Sequence, residues 1–431
     1  MNQPDFTMDI DHNEYLADGA RDINAILTVT MAGTVPESPA GETDTAEIII
    51  IDCSGSMGSP GSKIAEARAA CSAAVDVIRD GVAFAMIAGT HKAAAFFPED
   101  GSLAVAGPQT REAAKKAVAR LRPGGGTAIG VWLRLAHQMF TSHPARLRHT
   151  ILLTDGIDES ESSDDLDAAI KLCEGVFSCD CRGVGTDWRV SELRRVSAAL
   201  LGSVDIVPDP AGLAADFSAM MAKSMGKRVA DVSLRIWTPQ HASISLKQVA
   251  PAVEDLTSRR TESGPQIGDY PTGAWGPGET RDYHLAVQVS DPYAVGQQVR
   301  VARVSLVAAS SDGPEVLGEK GVLAIWTDDE ALSTRINQRV AHYTGQEELA
   351  QAIQEGLEAR RQGDKDTAEA KLGRAVALAH QSGNEETAKL LVKVVDVVDA
   401  ATGTVQLKKK VEDADEMALD TRSTKTVRTR K

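Results

Sequence analysis

Apolar and polar positions divide the chain into three regimes. Between residues 44 and 226, short apolar runs alternate with amphipathic stretches. Four consecutive isoleucines, Ile48 to Ile51, are too β-branched for a comfortable helix and too few to span a membrane, so they read as a strand buried on both faces. The rhythm continues through strands expected at 83–88, 93–97, 149–155, 177–183 and 203–207, and helices expected at 63–77, 110–121, 128–140, 163–174, 191–200 and 211–225. This order predicts an α/β fold, a Rossmann-like doubly wound and mostly parallel sheet with helices on both faces.

From Val229 the period changes. Runs at 232–237, 241–249, 280–289, 299–307 and 321–326 alternate apolar with polar between Pro and Gly, the pattern of an antiparallel β-sandwich. Two further alternating runs, 6–10 and 23–30, are too few to stand alone. They complete a seven-stranded sandwich if the α/β domain is an insertion reached through a linker from Gly33 to Thr45. The third regime is helical. Leu349, Ile353 and Leu357 share a face, as do Ala368, Leu372, Ala375 and Ala379, then Leu391, Val394, Val395 and Val398, with turns at Gly363 and Gly383. TPR-like hairpins and a plain bundle fit equally. The expected organisation is N-terminal strands at 1–43, the α/β domain at 44–226, the sandwich at 227–328, helices at 329–403 and a flexible basic tail at 404–431.

Charge and cysteine usage narrow the function. A formal net charge of -15 argues against nucleic acid as a partner. The acidic first residues give no sign of a signal peptide, and no run of about eighteen apolar residues suggests a membrane span. Five cysteines, all inside 44–226, form no regular framework and suggest free thiols in a reducing cytoplasm. Cys179 and Cys181 have no second pair nearby to complete a zinc site.

Candidate chemistry gathers at strand ends. Asp52 closes the isoleucine strand, and Ser54 and Ser56 follow at every second position, so in an extended segment their side chains converge. Arg122 to Thr127 is a glycine-rich loop delivering one hydroxyl before an apolar helix, and a second buried strand ends at Asp155-Gly156. Carboxylates with hydroxyls suit Mg²⁺ or Mn²⁺, and ligands in open α/β sheets sit at the carboxyl ends of strands. Taken singly, Asp52 or Thr127 is equally well a helix cap.

The three motifs Asp52-Cys-Ser-Gly-Ser-Met57, Gly124-Gly-Gly-Thr127 and Leu152-Leu-Thr-Asp-Gly156, in this order, closely resemble those of the von Willebrand factor A domain with its metal-ion-dependent adhesion site, bacterial cytoplasmic type. The resemblance covers about residues 44–226. It implies that Ser54, Ser56 and Thr127 coordinate a metal through hydroxyls while Asp52 and Asp155 bind it directly or through water. It also implies a use: an Asp or Glu of a protein partner completes the shell, with loops 59–63, 123–126 and 156–159 setting specificity. Asp158 and Glu159 read either as a further ion site or as a solvated acidic loop. Cytoplasmic relatives imply two settings, an adaptor of an AAA+ ATPase or chelatase-like complex and a Ser/Thr kinase and phosphatase assembly.

A hydrolase is the competing reading. A phosphatase would need a second acid where Ser54 stands, the glycines around Ser56 miss the G-x-S-x-G offsets, and Gly124 to Thr127 lacks a P-loop lysine. His137, His143 and His149 follow no ligand spacing and read as helix-surface and strand-edge residues. A non-catalytic, metal-dependent scaffold is therefore expected. In the tail, Thr421, Thr424, Thr426 and Thr429 are candidate phosphorylation sites for a Ser/Thr kinase, to be read by an FHA-domain protein, because Arg422, Lys425 and Arg428 flank them. The plainer alternative is a solvated basic extension.

Overall fold

The computed structural model describes residues 5–33, 44–309, 313–426 and 428, so most of the expected linker, and Thr429, lie outside the described residues. It forms two compact units, one of residues 36–228 and one of residues 1–35 with 229–431.

In the first unit the sheet runs in the order Val204–Val207, Ser178–Val184, Leu147–Thr154, Thr45–Asp52, Ala83–Gly89, Ala93–Phe97. Every pair along this path is parallel except the last. Thr45–Asp52 lies at the centre with Ala83–Gly89 on one side and Leu147–Thr154 on the other, so the loops leaving its carboxyl end and that of Leu147–Thr154 open a crevice between them. Ile48, Ile49, Ile50 and Ile51 are fully buried, as a strand covered on both faces requires. Ile49 and Ile51 join Ala67, Cys71 and Val75 of helix Ser62–Val77 and Phe217 and Met221 of helix Leu213–Met225 in one core. Alternation turns Ile48 and Ile50 to the opposite face. The five cysteines are buried and free, with Cys179 Sγ 3.8 Å from Cys181 Sγ.

His149 is not the strand-edge residue expected. It stands across from Glu47 in the parallel register, buried, with Nδ1 2.8 Å from Glu47 Oε2 and Nε2 3.0 Å from Asp180 Oδ2. Glu47 also accepts a hydrogen bond from Ser224 of the last helix of the unit. Burial alone would lower the imidazole, but the two carboxylates prevail and hold His149 protonated, pushed up to about 10.

Among the described residues of the second unit the sandwich has sheets of five and six strands rather than seven in all. Asp22–Met31 pairs with Phe6–His12 and with Thr280–Gln288, so the N-terminal strands complete the sheet that follows the insertion. Leu27, Val29 and Leu285 of one sheet share a core with Leu234, Val304 and Trp326 of the other. Strand Ile267–Trp275 is missed by periodicity because Gly268, Pro271 and Gly273 read as loop punctuation. Its short neighbour Thr261–Gly264 pairs only as far as Asp269, so Pro271 lies where no partner on that side needs its missing N–H.

Helices Gln338–Arg361 and Lys365–Ser382 form a hairpin closed by glycines at positive φ, Gly363 and Gly383, as expected. Beyond it the expectations need correction. Helix Glu385–Val394 stops at Val394, and Val395–Asp399 pairs antiparallel with Thr404–Leu407. Val395 and Val398 therefore belong to a strand, which suits their β-branched side chains better than a helix face. The turn of this β-hairpin lies against helix Lys365–Ser382 so closely that a Cβ on Gly373 would stand 2.2 Å from Gly403 O, so neither position tolerates a side chain.

Residues 404–426 are likewise not a flexible tail. Asp413–Arg422 is a helix whose Leu419 is fully buried in the helical core. A single apolar anchor among polar residues leaves little periodicity to read. Thr421 is buried and donates to Met417 O at 2.8 Å. The chain then pairs with the sandwich: Val253 N–H donates to Thr424 O at 2.7 Å, Thr426 N–H to Pro251 O at 3.2 Å and Thr426 Oγ1 to Val249 O at 2.6 Å. Arg428 Nε donates at 2.8 Å to buried Asp282, which also accepts from Arg339 and Tyr343. The premise of the kinase and FHA reading, hydroxyls on an unpacked segment, does not hold for Thr421, Thr424 or Thr426. Among the described residues no helix is long and apolar enough to cross a membrane.

Candidate metal centre

Three loops meet at the crevice. After Asp52 the chain passes through Ser54 in an extended conformation into a 3₁₀ turn, Gly55–Gly58, and this turn rather than strand alternation brings Ser56 back beside Ser54. Ser54 Oγ and Ser56 Oγ are 2.9 Å apart, and Ser56 donates to Asp155 Oδ1 at 2.7 Å. The glycine-rich loop is laced onto the first by Gly55 N–H to Gly125 O at 2.9 Å and Gly124 N–H to Cys53 O at 2.8 Å. Thr127, buried at the end of that loop, accepts through its carbonyl from Ser160 N–H at 2.9 Å, which ties the third loop to the second.

Gly156 lies against the oxygens so gathered. A Cβ there would stand 3.2 Å from Thr127 Oγ1, 3.5 Å from Ser56 Oγ and 3.9 Å from Asp52 Oδ2. The five residues expected from sequence, Asp52, Ser54, Ser56, Thr127 and Asp155, thus surround one small cradle lined by hydroxyl and carboxylate oxygens. Hard oxygen donors of this kind fit a divalent cation such as Mg²⁺ or Mn²⁺. Among the described residues no group of three or more His, Cys, Asp and Glu side chains is placed to hold a metal, so hydroxyls have to supply the remainder of any shell.

The carboxylates are individually held. Asp52 accepts from Ser54 N–H at 2.7 Å and from Thr154 Oγ1 at 2.6 Å, and it is fully buried. Burial pushes its carboxyl up to about 6, against the Thr154 and Ser54 hydrogen bonds that lower it. Asp155, also fully buried, accepts from Lys63 Nζ at 2.7 Å, and Lys63 reaches Asp187 at 3.1 Å. Burial opposes the charge on Lys63, yet the two aspartates hold its ammonium above the ordinary range.

A solved structure described as von Willebrand factor type A from Catenulispora acidiphila is 51% identical, covers 99% of this chain and 98% of its own, and superposes with a TM-score of 0.93. The chain belongs to the von Willebrand factor type A family. The von Willebrand factor type A domain matches residues 47–206, and the von Willebrand factor type A C-terminal domain matches residues 377–423. The second match spans the β-hairpin and final helix that periodicity reads as bundle and tail. A more distant von Willebrand factor type A structure, the ArnB paralog VWA2 from Sulfolobus acidocaldarius, shares the fold at 14% identity, with 96% of this chain and 97% of that chain covered and a TM-score of 0.59. No curated protein matches the chain significantly.

The roles of three residues beside the cradle are missed by sequence reasoning. Thr154 and Gly156 flank Asp155 within its own motif and could have been found by asking what buries and what approaches the carboxylates. Lys63 is expected only as the end of the specificity loop 59–63, and its pairing with Asp155 carries no local signal, because a lysine early in a helix reads as solvated. The third loop also departs from expectation: Glu159 is exposed, while Asp158 turns inward toward Glu161, and burial with that neighbouring acid pushes its carboxyl up to about 8. Asp158 and Glu159 therefore do not converge as a further ion site.

Proposed function

We propose that this protein is a non-catalytic, divalent-metal-dependent protein-interaction module. The observation carrying this reading is the cradle itself, five oxygen-bearing side chains from three loops brought together at the carboxyl ends of two adjacent parallel strands. Asp52, Ser54, Ser56, Thr127 and Asp155 would hold Mg²⁺ or Mn²⁺. When bound, such a cation offers a coordination position and residual positive charge to an external carboxylate. Membership of a family whose domains serve as general interaction modules supports the same conclusion.

The chain's own groups suit that role. Thr154 and Ser54 N–H fix the Asp52 carboxylate, and Ser56 orients Asp155, so the donors are pre-organised without metal. The partner in this reading presents an Asp or Glu, and the loops 59–63, 123–126 and 156–159 around the cradle select it. Lys63 is paired with two aspartates, and the serine hydroxyls are tied to each other and to Asp155, which holds these oxygens in place for a cation. The test is calorimetric titration with Mn²⁺ of wild type and Asp52→Ala, together with a pull-down from the source cell with and without EDTA. Equal Mn²⁺ binding by the two proteins would overturn the assignment.

A further inference from the structure

Lys63 occupies a position that its own helix disfavours. It is the second residue of helix Ser62–Val77, where the exposed N–H groups make the local potential positive, and it is only 7% exposed. A buried ammonium beside a helix start is costly unless a specific anion requires it. Here the anion is Asp155, fully buried, with one oxygen on Lys63 and the other on Ser56. Asp187, with a side chain 70% exposed, holds the ammonium from the solvent side. Gly185, at positive φ, lies over the lysine stem, where a Cβ would stand 3.8 Å from Cε.

We propose that Lys63 is a built-in counter-ion that weakens the cradle's grip on its cation and thereby strengthens the cation's demand for an outside carboxylate. This rests on the reading of the cradle as a cation site. With Lys63 present, the two carboxylates and the ammonium together carry one net negative charge instead of two. A divalent cation is then less fully neutralised by the protein and attracts a partner's acidic side chain more strongly. Lys63 also keeps Asp155 in place before any cation arrives, by offsetting the repulsion between two buried carboxylates. It is a positioning residue that trades metal affinity for ligand affinity.

The experiment uses the full chain as wild type, Lys63→Met, Lys63→Arg, Asp187→Asn and Asp52→Ala. Mn²⁺ affinity is measured by calorimetry, and acetate binding to the Mn²⁺-loaded protein by the loss of coordinated water in proton relaxation. Lys63→Met, which keeps the stem volume, is expected to bind Mn²⁺ about tenfold tighter and acetate roughly threefold more weakly. Lys63→Arg should keep both values near those of wild type, and Asp187→Asn, which removes a negative charge beside the ammonium, should shift both in the direction opposite to Lys63→Met by a smaller factor. The melting temperature of Lys63→Met should also fall in EDTA and recover with Mn²⁺, whereas that of wild type changes little. A lysine that merely props the helix predicts no such opposed movement. Folded Lys63→Met with unchanged or weaker Mn²⁺ binding, or with unchanged acetate binding, overturns the proposal while leaving the cradle intact. Equal Mn²⁺ binding by wild type and Asp52→Ala overturns the cradle reading, and this proposal with it.

Discussion

His149 stands directly across the sheet from Glu47, with its Nδ1 2.8 Å from Glu47 Oε2, and its other nitrogen reaches Asp180. Glu47 and His149 are buried and Asp180 is part-buried beside them, at the end of the sheet opposite the cradle. A histidine whose folded value lies at about 10 contributes stability that is complete below its ordinary value near 6.5 and is lost as pH rises toward 10. Asp180, held well below the usual carboxylate range by His149 in spite of its burial, contributes stability present above about pH 4 and lost in acid. Urea unfolding of the 36–228 unit within the intact protein should therefore weaken by roughly 2–4 kcal/mol between pH 6.5 and 10. In His149→Leu that alkaline decline should vanish and stability at pH 7 should drop by about 3–5 kcal/mol, because buried Glu47 and part-buried Asp180 lose their partner. An unchanged alkaline slope in the variant would show that the network does not carry the linkage.

Gly156 offers a one-carbon test of the cradle. Gly156→Ala would place a methyl group 3.2 Å from Thr127 Oγ1 and 3.5 Å from Ser56 Oγ, within the volume enclosed by the ligand oxygens. Its backbone lies outside the left-handed region, so the substitution should cost less than about 1 kcal/mol of stability. Mn²⁺ affinity should fall by roughly tenfold or more, a steric effect on an otherwise complete set of donors. Wild-type affinity in Gly156→Ala would mean that cations bind elsewhere.

Thr421 tests the C-terminal region. Its hydroxyl is buried against the turn of its own helix, next to Leu419 in the helical core. Thr421→Glu should destabilise the unit built from 1–35 and 229–431 by roughly 3 kcal/mol, since a carboxylate would be buried without a cation. Limited proteolysis of wild type should leave Asp413–Arg422 intact, and rapid cleavage there would contradict the packing described.

Much of the α/β unit is legible in the chain because its signals are local. Ile48 to Ile51, followed by Asp52, announce a buried strand and a carboxylate at its end without reference to any other segment. The cradle is legible for the same reason, each donor closing or following a strand. Sequence reading fails where the deciding contact is distant. Thr421 looks like a tail residue until Leu419 finds the helical core, and Lys63 looks solvated until Asp155, which arrives 92 residues later, is folded beside it. Pro271 looks like a loop until the shortness of Thr261–Gly264 is known, and Val395 looks helical until it meets Leu407 across a turn.

The pairing of Asp22–Met31 with Thr280–Gln288 has a consequence for biosynthesis. Thr30 donates to Thr280 across a sequence separation of 250, and the whole 36–228 unit is made between them. The first strands therefore leave the ribosome with apolar residues such as Ile23, Leu27 and Val29 uncovered, and they wait while a complete α/β domain is synthesised and folds. Closing so long a loop is slow, and an unpaired strand is an aggregation template in the interval. Protection of the nascent chain during that delay, by a holding chaperone or by rapid translation through the insertion, should govern the yield of native protein more than its final stability does.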